Sequence, residues 1–154
     1  MRNVKGFLTI AHEIDVQFYD VDAMRVVWHG NYVKYIEDAR CQLLRKFNYD
    51  YNDMEDSGYL WPIVDMRLKY VKSAAFTDKI RVEATLVEYE TRLKISYRIF
   101  NAKTNETLTK AYTVQVAVSI ESNEMQFESP EILLKKLAPL LAEKAAEKTA
   151  DKNN

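Results

Sequence analysis

Between Phe18 and Tyr32 the chain reads Phe-Tyr-Asp-Val-Asp-Ala-Met-Arg-Val-Val-Trp-His-Gly-Asn-Tyr, which gathers Asp20, Asp22 and His29 just ahead of an apolar-striped segment. A carboxylate ionised at neutral pH can attack a carbonyl carbon or take a proton from water, and an imidazole can move a proton at the same centre. Taken alone, an Asp-x-Asp pair is most often a turn or helix-entry feature. Metal binding is poorly supported. A calcium loop needs a third oxygen ligand and a glycine where this chain has Met24 and Arg25. His12 and His29 lack cysteine partners or His-Glu-x-x-His spacing, so zinc has no evident ligand set. Cys41, on the helix that follows, reads as a packing residue.

The elements around these residues follow from periodicity. From Leu8 to Tyr19, Ile10, Ile14, Val16 and Phe18 fall on one side of a two-residue repeat, which predicts a first strand. Tyr32, Ile36, Ala39, Leu43 and Phe47 then recur at helical spacing, predicting a helix of about 17 residues with Asn31 as its N-cap. From Trp61 onward the period returns to two. Val64 to Tyr70, Ile80 to Leu86, Ile95 to Ile99 and Tyr112 to Ile120 alternate apolar with polar residues, with Tyr112, Val114, Val116, Val118 and Ile120 expected inward and Thr113, Gln115 and Ser119 outward. Short links between them predict sequential antiparallel pairing. Ser129-Pro130 reads as a helix start, with the serine hydroxyl as cap, and Ile132, Leu133, Leu137, Leu140 and Leu141 supply that helix with an apolar side. One domain is expected over residues 1–142, with 143–154 a charged segment expected to fray. The fold class is therefore α+β: an antiparallel sheet with one apolar face, curled around one apolar-striped helix, plus a C-terminal helix.

Composition narrows the partners. At 154 residues and 47% hydrophobic, one domain can build a core without staples. Lys+Arg 22 against Asp+Glu 23 leaves no excess positive charge for nucleic acid. No apolar run approaches the roughly 20 residues of a membrane span. A single cysteine and no evident leader point to the cytoplasm.

The Phe18–Tyr32 segment resembles the signature of the hot-dog-fold acyl-CoA thioesterases of the 4-hydroxybenzoyl-CoA thioesterase type. In these an aromatic-rich strand end precedes Asp-x-Asp, a Val-Val-aromatic stretch, and Asn-Tyr opening the central helix. Tyr35-Ile36-Glu37-Asp38-Ala39-Arg40 resembles the helix continuation. Tyr70-Val71-Lys72-Ser73-Ala74-Ala75-Phe76-Thr77-Asp78-Lys79-Ile80 is similar to the second-strand exit, with Ser73 where proline is frequent. The likeness runs from about Ile14 to Ile120.

The resemblance implies hydrolysis of an acyl-CoA, or of a related acyl-carrier-protein thioester, with no metal or cofactor, coenzyme A being part of the substrate. It assigns Asp22 as the catalytic carboxylate, acting as nucleophile or as general base, and gives His29 a role in carbonyl orientation or proton transfer. Trp28, Gly30 and Tyr32 would bind substrate. The amides near Trp28, His29 and Gly30, at the positive end of the helix dipole, would hold the oxyanion. Arg67, Lys69 and Lys72 could meet the coenzyme A phosphates. The family implies a homodimer, with sheets joined edge to edge and the site at the boundary, and dimers that can pair into a homotetramer. One departure is Arg25, where the family usually has glycine: a turn requiring positive φ would strain it, and its guanidinium could instead meet a substrate phosphate or carboxylate. The competing functions are a hot-dog hydratase or dehydratase that leaves the thioester intact, and a non-catalytic acyl-CoA-binding or scaffolding module.

Overall fold

The structure is a computed structural model, and it describes residues 6–152. The strands are β1 (Leu8–Asp15), β2 (Tyr59–Leu60), β3 (Ile63–Tyr70), β4 (Lys79–Glu88), β5 (Leu93–Asn101), β6 (Thr107–Gln115) and β7 (Val118–Ser119). The helices are α1 (Asn31–Lys46), α2 (Tyr51–Asp56) and α3 (Glu131–Lys152). Five strands form one antiparallel sheet in the order β1-β4-β5-β6-β3, and β2 pairs with β7 separately; sequential pairing holds from β4 to β6, but β3 joins the far edge beside β6 instead of pairing with β4.

The sheet curls around α1 because each brings an apolar face that needs covering. On the sheet, Ile80, Val82, Ala84 and Leu86 stand beside Leu93, Ile95, Tyr97 and Ile99, all buried. On the helix, Tyr32, Ile36, Ala39, Leu43 and Phe47 are buried as their spacing predicts. Each fully buried Ile or Leu contributes roughly 1.5–3 kcal/mol, so this contact dominates the fold. Asn48 ends α1: with φ 56 it lets Asn48 N–H reach Arg45 O and Tyr49 N–H reach Leu44 O, both at 3.0 Å, closing the helix in a Schellman motif. Next, α2 opens on a capping box between Asp50 and Asp53.

Several expectations need correcting. The first strand stops at Asp15, and Phe18–Asp20 form a single 3-10 turn. Asn31 is the first residue of α1 rather than its cap; Gly30 takes the N-cap position without a side-chain hydrogen bond. The last predicted strand is two strands, β6 ending at Gln115 and β7 beginning at Val118, and its faces are reversed. Register pairs Thr113 with Ile95 and Gln115 with Leu93, so these polar residues turn toward the helix and are fully buried, while Ile120 is exposed. They have polar work there. The buried Arg40 of α1 donates from Nε to the Tyr51 hydroxyl at 2.7 Å, Gln115 Nε2 donates to Trp61 O at 2.8 Å, and the Tyr97 and Thr113 hydroxyls meet at 2.8 Å.

Ser129 does not cap α3: its hydroxyl is buried without a partner, while its N–H donates to Glu90 O at 2.9 Å. Leu133 and Leu137 bury the apolar side of α3 against the core. Beyond them α3 continues through the charged segment to Lys152, in keeping with the helix propensity of Ala, Lys and Glu. Residues 153–154 lie outside the described residues, as do residues 1–5 of the expected domain.

Candidate active site

The loop between β1 and α1 is a narrow hairpin tied back on itself. At its base, Asp20 is buried and its Oδ2 accepts the Gln17 N–H at 2.8 Å, which makes the first aspartate of the pair a structural group. Above it, Val21 and Val27 form an antiparallel bridge, and Asp22 N–H donates to Val26 O at 2.9 Å. At the tip, Arg25 N–H returns to Asp22 O at 2.9 Å, and Arg25 at φ 63 turns the chain so that Val26 O can accept the Asp22 N–H. The positive φ anticipated for a glycine at this position is therefore present, but an arginine occupies it.

Asp22 is half-buried at the start of this turn. Its Oδ1 accepts the Met24 N–H at 2.8 Å, an Asx turn that fixes the direction of the carboxylate. Among the described residues its Oδ2 has no hydrogen-bond partner, so one oxygen orients the group while the other can meet a substrate or a water.

The return leg of the hairpin leads into α1. Val27 N–H donates to Ala74 O and Trp28 N–H to Asp20 O, each at 2.9 Å. The Trp28 amide is thus engaged and is not available to an oxyanion. The His29 and Gly30 amides have no acceptor among the described residues, and they stand at the positive end of α1. Tyr70 Oη donates to His29 O at 2.9 Å and pins this backbone from β3.

Side chains around the helix start form an aromatic wall. The Trp28 ring lies on Gly30, where a Cβ would come within 2.3 Å of the indole, so only glycine leaves the ring in place. The His29 imidazole is exposed, with its ring centroid 5.2 Å from Trp28 and 6.4 Å from Tyr70. Tyr32 is buried behind them; its hydroxyl accepts the Ala74 N–H at 3.2 Å, and burial raises its pKa. Beside it, burial and the Asp20 carboxylate hold the Tyr35 proton well above the ordinary tyrosine range, although that hydroxyl makes no hydrogen bond of good geometry.

The structure therefore brings Asp22, Trp28, His29 and Gly30 onto one loop, with Tyr32 beneath it in the core. Of the basic residues considered for coenzyme A, Lys72 is paired with Glu106 at 2.7 Å, while Arg67 and Lys69 are exposed on β3. Not singled out for the site from sequence is Tyr70, whose role depends on a contact 41 positions away. Among the described residues no three carboxylate, histidine or cysteine side chains gather as a metal site would require.

A family model described as the thioesterase-like superfamily matches residues 16–146. The chain belongs to this superfamily. The curled sheet around α1 is the hot-dog arrangement its thioesterases share. Among its relatives, Bacillus subtilis YneP, provisionally named an acyl-CoA thioesterase, is 31% identical over 111 residues, covering 71% of this chain and 80% of YneP. Escherichia coli YbgC, named an acyl-CoA thioester hydrolase, is 27% identical over 106 residues, covering 68% of this chain and 78% of YbgC. Among solved structures, a DHNA-CoA thioesterase from Staphylococcus aureus superposes with a TM-score of 0.71 at 27% identity, covering 94% of this chain and 93% of that one.

Proposed function

We propose that the protein hydrolyses acyl-CoA thioesters to a free acid and coenzyme A, with Asp22 as the catalytic carboxylate. The observation that carries this reading is the Asp22 side chain, oriented through Oδ1 by the Met24 amide and open at Oδ2, on the same hairpin as the amides of His29 and Gly30. The carboxylate attacks the thioester carbonyl, or takes a proton from a water that does. Either route puts negative charge on the carbonyl oxygen, and the two amides at the start of α1 are donors for it. Collapse of the tetrahedral species expels the thiolate. In the first route the acid remains as a mixed anhydride on Asp22 until water cleaves it. His29, exposed beside these amides, supplies a proton to the thiolate, and the Trp28 ring lying on Gly30 gives the acyl group an aromatic surface to lie against. No cofactor is assigned, because coenzyme A arrives as part of the substrate.

The working unit is proposed to be a homodimer or a pair of homodimers. Support comes from the exposed apolar residues around Asp22, namely Phe18, Tyr19, Met24 and Phe76, and from Ile63, Val64 and Tyr70 on the edge strand β3. A second copy would cover both. The proposed location is the cytoplasm, on the support of a lone, unbridged Cys41; among the described residues no helix is long and apolar enough to cross a membrane.

The test is release of free thiol from acetyl-, isovaleryl-, benzoyl- and palmitoyl-CoA. Wild type is expected to release thiol from at least one, and Asp22→Asn to lower that turnover by about a hundredfold or more. Near-wild-type turnover in Asp22→Asn refutes the assignment of Asp22. An inactive wild type across the whole series, with binding retained, points to the ligand-binding module instead.

A further inference from the structure

Asn31 is an unexpected residue to find buried at the first position of a helix. An asparagine just before an apolar-striped helix usually caps it, accepting from the first-turn amides through its side-chain oxygen. Here it does the reverse. Its Nδ2 donates out of the helix, to the backbone oxygen of Asp20 at 2.8 Å, and the residue is only 8% exposed. The same Asp20 oxygen accepts the Trp28 N–H at 2.9 Å. Both lone pairs of one carbonyl are thus satisfied from the segment that ends in α1.

This contact closes the open end of the hairpin that carries the reacting groups. The tip is fixed locally by the Val21–Val27 bridge and by the hydrogen bonds among Asp22, Met24, Arg25 and Val26. Those bonds hold the hairpin together, but they do not set its position relative to α1. The return leg is held to α1 through Val27 N–H on Ala74 O, whose own N–H reaches the Tyr32 hydroxyl, and the Asp20 leg is held by the Trp28 amide and by the Asn31 side chain, which belongs to the helix. Asp22 lies two residues from the carbonyl that Asn31 holds, and His29 and Gly30 immediately precede Asn31. One buried amide therefore ties the carboxylate leg to the helix that presents the two free N–H groups.

We propose that Asn31 is a positioning residue for thioester hydrolysis, acting through Asp22 by holding the Asp20 carbonyl against the first turn of α1. The inference rests on the assignment of Asp22 made above. A small misplacement between a nucleophile and its oxyanion donors lowers the rate of the chemical step about a hundredfold while leaving substrate affinity nearly alone. The fold is expected to survive the loss of the contact, because the Asp20 oxygen keeps the Trp28 amide and the core of α1 is untouched.

The experiment measures kcat, KM and thermal unfolding for Asn31→Ala, for the similarly sized but donorless Asn31→Leu, for Asp22→Asn and for the double variant Asp22→Asn/Asn31→Ala. The substrate is whichever of the four acyl-CoAs the wild type turns over fastest. Both Asn31 variants are expected to lose about 10- to 100-fold in kcat with KM within about twofold of wild type. In the Asp22→Asn background, Asn31→Ala is expected to cost no further activity, because the group it positions is already gone. A kcat within twofold of wild type for Asn31→Ala, or an Asn31→Ala loss that multiplies fully with that of Asp22→Asn, overturns the proposal. If Asn31→Ala unfolds, Asn31→Leu decides, since it fills nearly the same volume and removes the donor without adding a charge. An inactive Asp22→Asn alongside fully active Asn31 variants removes this inference alone; a fully active Asp22→Asn removes the assignment of Asp22 and this inference together.

Discussion

Replacing Arg25 by glycine should make the protein more stable. Arg25 holds φ 63 so that the chain turns back and Val26 O meets the Asp22 N–H, and a side chain with a Cβ is strained in that left-handed region by about 1–2 kcal/mol. Glycine has no such strain, but it makes the unfolded chain more flexible, which costs about 0.4–1 kcal/mol. The guanidinium is exposed, so little packing is lost. The difference is a net gain of about 0–1.6 kcal/mol, centred on ~0.8 kcal/mol, which for a domain of this size raises Tm by about 2–3 °C at the centre. Differential scanning calorimetry on wild type, Arg25→Gly and Arg25→Ala separates the backbone effect from that of the charge. Arg25→Ala keeps the Cβ and should melt within about 1 °C of wild type. A Tm that falls in Arg25→Gly, or rises equally in both variants, refutes the strain argument. Thiol-release assays on the same samples report the side chain: a raised KM in both variants assigns the guanidinium to substrate.

Arg40→Ala should destabilise by at least about 2 kcal/mol, since it opens a void beneath the sheet and takes the donor from the Tyr51 hydroxyl; urea denaturation with an unchanged m-value and a lower midpoint is the expected result. The Arg92 side chain hydrogen-bonds Glu88 and holds its carboxyl below the usual glutamate range, so the pair's stabilisation is complete above the unfolded-state pKa and is lost as pH falls through the depressed one. Because both side chains are partly exposed, Glu88→Gln should lower stability by no more than about 1 kcal/mol at pH 7, and the gap from wild type should close on acidification, as followed by thermal melts across pH 3–7.

The parts of the fold that rest on strong periodicity are readable from the chain. The stripe from Tyr32 to Phe47 finds the sheet because no other face of that helix is apolar, and the alternation in β4 and β5 gives the correct inward faces. In β6 the same reasoning fails. Its inward face is polar because Arg40, Tyr51 and Tyr97 need partners there, and register, a tertiary property, decides which side of the strand meets them. Asn31 and Ser129 fail in a related way: both carry a capping signature, but where each side chain goes depends on a carbonyl or a turn distant in sequence. The short α2 had a local signal, Asp50 three residues before Asp53, that goes unnoticed between two longer elements. At the site, the order Asp22, Trp28, His29, Gly30 was legible as a motif. The unequal use of its three amides was not, because the Asp20 carbonyl that takes the Trp28 amide is identified only by the fold.

The two tryptophans sit in opposite surroundings: Trp61 is 4% exposed in the core, while Trp28 is 48% exposed against Gly30 at the mouth of the loop. The molecule therefore carries its own optical reporter. Aqueous iodide reaches one indole and not the other, so the quenchable part of the emission belongs to the mouth of the loop. An acyl chain or adenine lying over that ring would shield it, and ligand arrival can be followed in unlabelled protein, against a silent internal reference that registers only unfolding.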